Sequence, residues 1–549
     1  MSLQFITGNS GNGKTKYLFN RIVKEAKANP RDNYLVIVPE QFTMQTQRQL
    51  VDLSENKVIM NIDVLSFKRL AYRVFDELGI TNLTVLEETG KNLVLRKLAA
   101  QEADKLGVIG RNLNRIGYIS EVKSLLSELV QYNISPEELG RYIASGRLSD
   151  TLSDKLKDVL VLYEAFEKFM QDKYITAEEI LNVLSNVAEE SAILRNSVIA
   201  FDEFTGFTPI QNQLIKKLFV ISKKIYVTLT IDCREDIFKS RGMQELFDMP
   251  KRTVKSLTEM AAFYGIEVEE PIILDKNYRL AENEELSFME QQLFRKRRCS
   301  FEKVPKHIHI DCLRDPKQEL TKIARRINEL VRNENLRYRD IAIVTGDVNI
   351  YAGYVREIFD KYNIPYFIDA TQEILFHPFI EFIRSIPDIA AQNFSADAVF
   401  RFLRCGFSEL LDSEIDVLEN YVLACGVRGK SAWDKKWVRL PKHKAGYDIE
   451  LLNQSREYIM ELLKPVYQVF SDKKSTVKDY VLAIYKLIVL LDIPDKLAKK
   501  EQALLDAGDQ TASKEYGQIY KIVMQLFEKY VAVLGDECMD AEEFTQILD

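Results

Sequence analysis

Two textures alternate along the chain. Leu3–Thr7, Tyr34–Pro39 and Val58–Val64 are short apolar runs, separated by stretches whose apolar residues recur every three or four positions. This alternation predicts a parallel sheet covered on both faces by helices. From about residue 85 to 187 the pattern is almost wholly helical. Its stripes are Leu93, Leu95, Leu98 and Ala99, then Leu125, Leu126, Leu129 and Val130, then Leu160, Leu162, Tyr163, Phe166 and Phe169. Asn133-Ile134-Ser135-Pro136-Glu137-Glu138 predicts a helix stop followed by a fresh start. Strand pattern returns at Ser197–Phe201 and Ile225–Ile231, so a helical block interrupts one sheet.

A second α/β region is predicted to begin near Ile308–Cys312. It continues through a basic amphipathic helix, Glu319 to Arg332, to the runs Ile341–Thr345 and Ile364–Asp369. From about 380 onward the text is helical again. Ala541 to Asp549 stop inside a helical pattern with no glycine or proline terminator, which suggests a cut chain.

Composition changes this picture little. At 549 residues, several domains are expected. No apolar run reaches membrane-spanning length and no secretory signal opens the chain, so a cytoplasmic protein is expected. The six cysteines include no C-x-x-C pair and read as free thiols in a reducing compartment. The histidines form no metal spacing; His307 and His309 read as ordinary strand positions. A net charge of −7 argues against a wholly basic surface. It leaves room for a local nucleic-acid groove, because counterion release follows the phosphates contacted.

Candidate chemistry begins at Gly8-Asn9-Ser10-Gly11-Asn12-Gly13-Lys14-Thr15, a full G-x-x-x-x-G-K-[ST] match between a strand and a helix. Glycines let the backbone wrap a phosphate so that N–H groups and the helix dipole face it. Lys14 is then expected to reach the β/γ oxygens of ATP, and the Thr15 hydroxyl to hold Mg²⁺. Asp202-Glu203 follows an apolar strand directly. Asp202 is the second candidate for Mg²⁺, and Glu203 the candidate for orienting or deprotonating water. Arg279, in Asn277-Tyr278-Arg279, is the candidate charge clamp for the γ-phosphate, reaching across a junction between two lobes.

Two further stretches fall at strand C-termini, where open α/β sheets bind ligands. They are Pro39-Glu40-Gln41-Phe42-Thr43 and Leu65-Ser66-Phe67-Lys68-Arg69-Leu70-Ala71-Tyr72-Arg73. Aromatics interleaved with amide, hydroxyl and guanidinium groups suit single-stranded nucleic acid. Phe67, Leu70 and Tyr72 equally suit a packed helix face. Arg295-Lys296-Arg297-Arg298 reads as a solvated charge run or a phosphate contact.

Taken together these strings resemble superfamily 1 DNA helicases, and most closely the AddB/RexB family of bacterial helicase–nucleases. The resemblance also rests on Phe201–Pro209 and on the Tyr338–Pro365 region, and it runs the length of the chain. It implies an α/β fold of two RecA-like P-loop lobes, each a parallel sheet with a large helical insertion. The divisions expected are residues 1–84 plus 188–280 for the first lobe, 85–187 for its insertion, 281–380 for part of the second lobe, and 381–549 for another insertion. It implies a motor-bearing A subunit as partner, work on double-strand breaks, contact with single-stranded DNA and duplex ends, and recognition of the hotspot Chi. Gln41, Thr43, Phe67, Arg69, Tyr72 and Phe207 are the strand contacts it suggests.

The departures matter. Motor helicases of the superfamily continue the acid pair with Gln-Asp-type residues; Phe204-Thr205-Gly206 stands here instead, and no late arginine-finger motif is recognisable. The family's nuclease domain and its 4Fe–4S cluster on four cysteines are expected beyond residue 549. An ATP-binding reader of single strands is therefore the first reading, an autonomous ATP-driven helicase the second, and a P-loop kinase or signalling NTPase the third.

Overall fold

The structure, a computed structural model, describes residues 1–55, 57–80, 85–108, 117–146, 148–170, 174–295, 299–369, 374–441 and 447–548. Strands β1 (Ser2–Gly8), β2 (Tyr34–Ile37), β3 (Ile62–Leu65), β6 (Val198–Phe201), β7 (Lys224–Thr230), β8 (Glu267–Val268) and β9 (Ile272–Leu274) make one sheet. A separate pair, β4 (Val85–Leu86) and β5 (Ile175–Thr176), lies at the two ends of the first helical block. The large sheet runs in the order β3-β2-β6-β7-β1-β8, with β9 also beside β1, and every pairing is parallel.

Alternation along each strand builds a three-layer core. Leu35, Ile37, Ile199, Phe201, Ile225, Val227 and Leu229 face one side, against α3 (Phe67–Leu78), α8 (Ile180–Val187), α9 (Pro209–Ile221) and α10 (Asp248–Phe263). Tyr34, Val36, Val198, Ala200 and Tyr226 face the other, against α1 (Lys14–Ala28) and α2 (Thr43–Leu53). Both faces are apolar because both are covered. Full burial of each leucine, isoleucine, valine or phenylalanine among them stabilises the fold by about 1.5–3 kcal/mol before chain entropy is counted.

The expected helical block is present as α4 (Glu88–Gln101), α5 (Tyr118–Gln131), α6 (Pro136–Ala144) and α7 (Asp150–Met170). The break before α6 is built as the residues predict. Asn133 takes φ 56°, and Ser135 and Glu138 form a reciprocal cap with Pro136 in the first turn. Helix Gln510–Leu534 of the C-terminal block packs on α4, and Arg96 donates to the Gln546 carbonyl (2.9 Å) and side chain (3.0 Å).

Contacts divide the chain into one unit of residues 1–282 and 382–549, and a second of 283–381. The second parallel sheet expected in the latter is not seen: among its described residues there is no strand. Helices Pro316–Asn333 and Val348–Lys361 pack through Leu320, Ala324, Ile327, Ile358 and Phe359. The runs 308–312, 341–345 and 364–369 make no ladder, and Ile310 and Val344 are each 93% exposed. An apolar run becomes a strand only where a partner accepts its hydrogen bonds. His307 is accordingly an exposed side chain beside Glu285 (3.4 Å), not a strand position. No helix among the described residues is long and apolar enough to cross a membrane.

Candidate functional site

The glycine loop sits where β1 ends and α1 begins. Gly11 (φ 88°) and Gly13 (φ 79°) are left-handed, which an L side chain resists, and the Gly13 carbonyl accepts the first helical bond from Tyr17 N at 2.8 Å. The loop's polar side chains fasten it from below. Asn12 donates to the Leu274 carbonyl at 2.6 Å, and Asn9 Oδ1 accepts from Cys233 N at 2.9 Å. Lys14 folds back to donate to the carbonyls of Gly8 and Asn9, both at 3.0 Å.

β6 delivers the acid pair to the same place. The Thr15 hydroxyl lies 3.3 Å from Asp202 Oδ1 and 3.3 Å from Glu203 Oε1. Glu203 adopts φ 64°, a conformation a non-glycine residue holds only under constraint, which marks this turn as a functional candidate. Asp202 is 1% exposed; its Oδ1 also accepts from the Thr228 hydroxyl, while its buried Oδ2 has no partner. Burial pushes the carboxyl up to about 6, the Thr228 bond opposes this, and the nearby Glu203 charge adds to it. A buried carboxylate oxygen without a partner, beside a threonine hydroxyl, is a donor set that fits a hard divalent cation.

Asn277-Tyr278-Arg279 packs on the loop from the β9 side, within the same unit. Asn277 donates to the Ser10 carbonyl at 3.0 Å, and Tyr278 N to the Gly11 carbonyl at 3.0 Å. A Cβ on Gly11 would stand 2.8 Å from Asn277 Oδ1 and 2.9 Å from Arg279 Cβ. Arg279 is exposed and lines a cleft of about 790 Å³ with Lys14, Thr15, Asp202, Glu203 and Tyr278. That volume lies in the range of small-ligand and cofactor sites.

A second groove, of about 630 Å³, opens where β2 and β3 end. Glu40, Ser66, Lys68, Arg69, Tyr72, Phe204 and Gln211 are among its lining. Arg69 is exposed, and Tyr72 is 39% exposed. Two of the expected contacts are largely buried. Phe67 is 7% exposed and belongs to an aromatic cluster with Phe201 (5.8 Å), Phe204 (5.6 Å) and Phe207 (6.3 Å), and it still forms part of the groove lining. Thr43 is 4% exposed and donates to the Glu40 carbonyl at 3.0 Å. Gln41 is exposed and Phe207 half-buried in the cluster; neither lines the groove. Lys296, Arg297 and Arg298 lie outside the described residues.

Sequence reasoning missed Thr228, Tyr278 and Glu40. Thr228 was within reach of it: β6 and β7 are parallel with Phe201 opposite Val227, so the next position faces Asp202.

A family profile described as "ADDB, N-terminal" matches residues 5–290, more than half of the chain. The chain is 38% identical to the B subunit of the ATP-dependent helicase/deoxyribonuclease of Lachnoclostridium phytofermentans, over all of this chain and 48% of that protein. It is 31% identical to the proteins of the same name from Clostridium acetobutylicum and Clostridioides difficile, again over all of this chain and 48% of each. The chain thus spans about half the length of the curated relatives it matches.

Proposed function

The chain belongs to the AddB family, and on that premise we propose that it acts within the B subunit of a heterodimeric ATP-dependent helicase–deoxyribonuclease. In this reading it serves the processing of DNA double-strand breaks in the cytoplasm, beside an A subunit that supplies the motor. It binds ATP in the cleft at Gly8–Thr15 and grips single-stranded DNA, including Chi, along the neighbouring groove. The kinase reading falls with the family assignment.

The observation that carries the proposal is the placing of the Thr15 hydroxyl, on the glycine loop, 3.3 Å from both Asp202 Oδ1 and Glu203 Oε1. Thr15 and Asp202 would hold Mg²⁺, which offsets the charge of the phosphates. Lys14 would leave the two carbonyls it now holds to meet the β/γ oxygens, and Arg279 would add a second positive charge from the β9 side. Glu203 is aimed at the same space to orient water. The proposed strand path uses Arg69 and Tyr72, with the exposed Gln41 as a further contact. The unpaired runs of residues 308–369 are read as strands of a second RecA-like lobe awaiting partners. The nuclease and its 4Fe–4S cluster are assigned to the remaining length of the family.

Arg279 at the cleft favours one alternative, an autonomous superfamily 1 helicase. Phe204, an apolar wall where motors carry a coupling amide, favours a subunit that binds ATP without driving translocation. A strand-displacement assay separates them: the proposal expects no ATP-driven unwinding by this chain alone. Robust unwinding abolished by Lys14→Ala would establish the alternative.

A further inference from the structure

Glu40 belongs to none of the roles assigned so far, yet it lines the strand groove. It follows β2, and Ser66 and Arg69 follow β3; because Ile37 pairs with Leu65 in a parallel ladder, the three residues meet at one edge. Glu40 Oε1 accepts from Arg69 Nε at 2.9 Å, and Oε2 accepts from the Ser66 hydroxyl. Ser66 is itself held as the cap of α3, accepting from Arg69 N at 3.3 Å, and is 4% exposed. Both carboxylate oxygens are thus engaged, on a support that is part of the fold.

The ion pair is half-exposed, at 56% and 57%, and such pairs add little to stability. Its geometry suits another task. The carboxylate takes only the Nε edge of Arg69; neither terminal nitrogen has a partner among the described residues. A guanidinium held this way presents two parallel N–H donors to a planar pair of acceptors. Guanine O6/N7 and two phosphate oxygens are both such pairs. The Glu40 charge decides between them, because it repels a phosphate anion and leaves a neutral base edge unopposed.

Resting on the strand-groove reading above, we infer that Glu40 is a positioning residue that makes Arg69 a reader of guanine instead of a phosphate clamp. It gives up overall affinity in exchange for discrimination between bases.

The test compares the wild-type chain with Glu40→Gln, Glu40→Asp and Arg69→Ala. The probes are an oligothymidine, the same strand with a central guanine run, and its 7-deazaguanine counterpart, which lacks N7. Wild type is expected to prefer the guanine strand by about tenfold or more, in line with one good bidentate contact. Glu40→Gln should shrink that preference to about threefold or less and tighten oligothymidine binding. It should also steepen the salt dependence by about 0.7 in log–log slope, as one additional phosphate contact would. Glu40→Asp, retaining the charge, should keep the shallow slope. An unchanged preference and slope in Glu40→Gln, with the preference lost in Arg69→Ala, would overturn the inference and leave the groove standing. Binding untouched by Arg69→Ala, or no strand binding at all, would remove the groove reading and this inference with it.

Discussion

The proposed nucleotide cleft and the proposed strand groove lie along the same edge of one sheet but are built by different means. The cleft is organised by backbone: left-handed Gly11 and Gly13, a constrained Glu203, and a buried carboxylate with one oxygen left over. The groove is organised by side chains, through a half-exposed ion pair and a capped helix over an aromatic floor. Preorganised backbone suits a ligand of fixed shape and dense charge. Adjustable side chains suit a strand whose bases change. Phe204, which lines both, is the wall between them.

The largest effect expected separates floor from contact. Phe67→Ala should destabilise the fold by about 3–5 kcal/mol in denaturant unfolding, as for a buried aromatic. Weakened strand binding at unchanged stability would make Phe67 a direct strand contact instead of part of the floor. Next, Lys14→Ala should lower affinity for an ATP analogue by about 100-fold, or ~3 kcal/mol, with the unfolding midpoint almost unmoved. Unchanged affinity would remove the cleft as a nucleotide site.

The third prediction uses Asp202. Folded Asp202 holds its proton up to about pH 6, whereas the unfolded chain releases it near 3.8, so the native state binds more protons in between. Its contribution to stability is present below about pH 4 and is lost as pH rises through 6, by about 3 kcal/mol at most. Asp202→Asn should flatten this part of the pH–stability curve and abolish stabilisation by Mg²⁺ with nucleotide. An Asn variant with the wild-type curve would contradict the assignment. Fourth, Arg69→Ala should weaken single-strand binding by about 1–3 kcal/mol and leave nucleotide binding alone.

Legibility followed the same division. β1, β2, β6 and β7 were readable to within a residue or two, because apolar runs buried on both faces leave little choice. β3 is shorter than its apolar text, since Val58 (58%) and Met60 (93%) are exposed. β8 and β9, of two and three residues, carry too little pattern to be read and exist by pairing with β1. The bend of the glycine loop was legible because Gly11 and Gly13 answer a backbone demand. Tyr278 over Gly13, and Glu40 against Arg69, come from tertiary adjacency that no local spacing records. The runs 308–312, 341–345 and 364–369 are the converse: strand-like text that makes no ladder among the described residues.

Hydrogen exchange of the chain, with Mg²⁺–ATP analogue or with a single-stranded oligonucleotide, tests the shared-edge account most directly. Nucleotide should slow exchange at residues 8–15 and 202–205, and the oligonucleotide at residues 38–43 and 66–72. Oligonucleotide protection confined to regions away from residues 38–72, or none there at saturation, would contradict it.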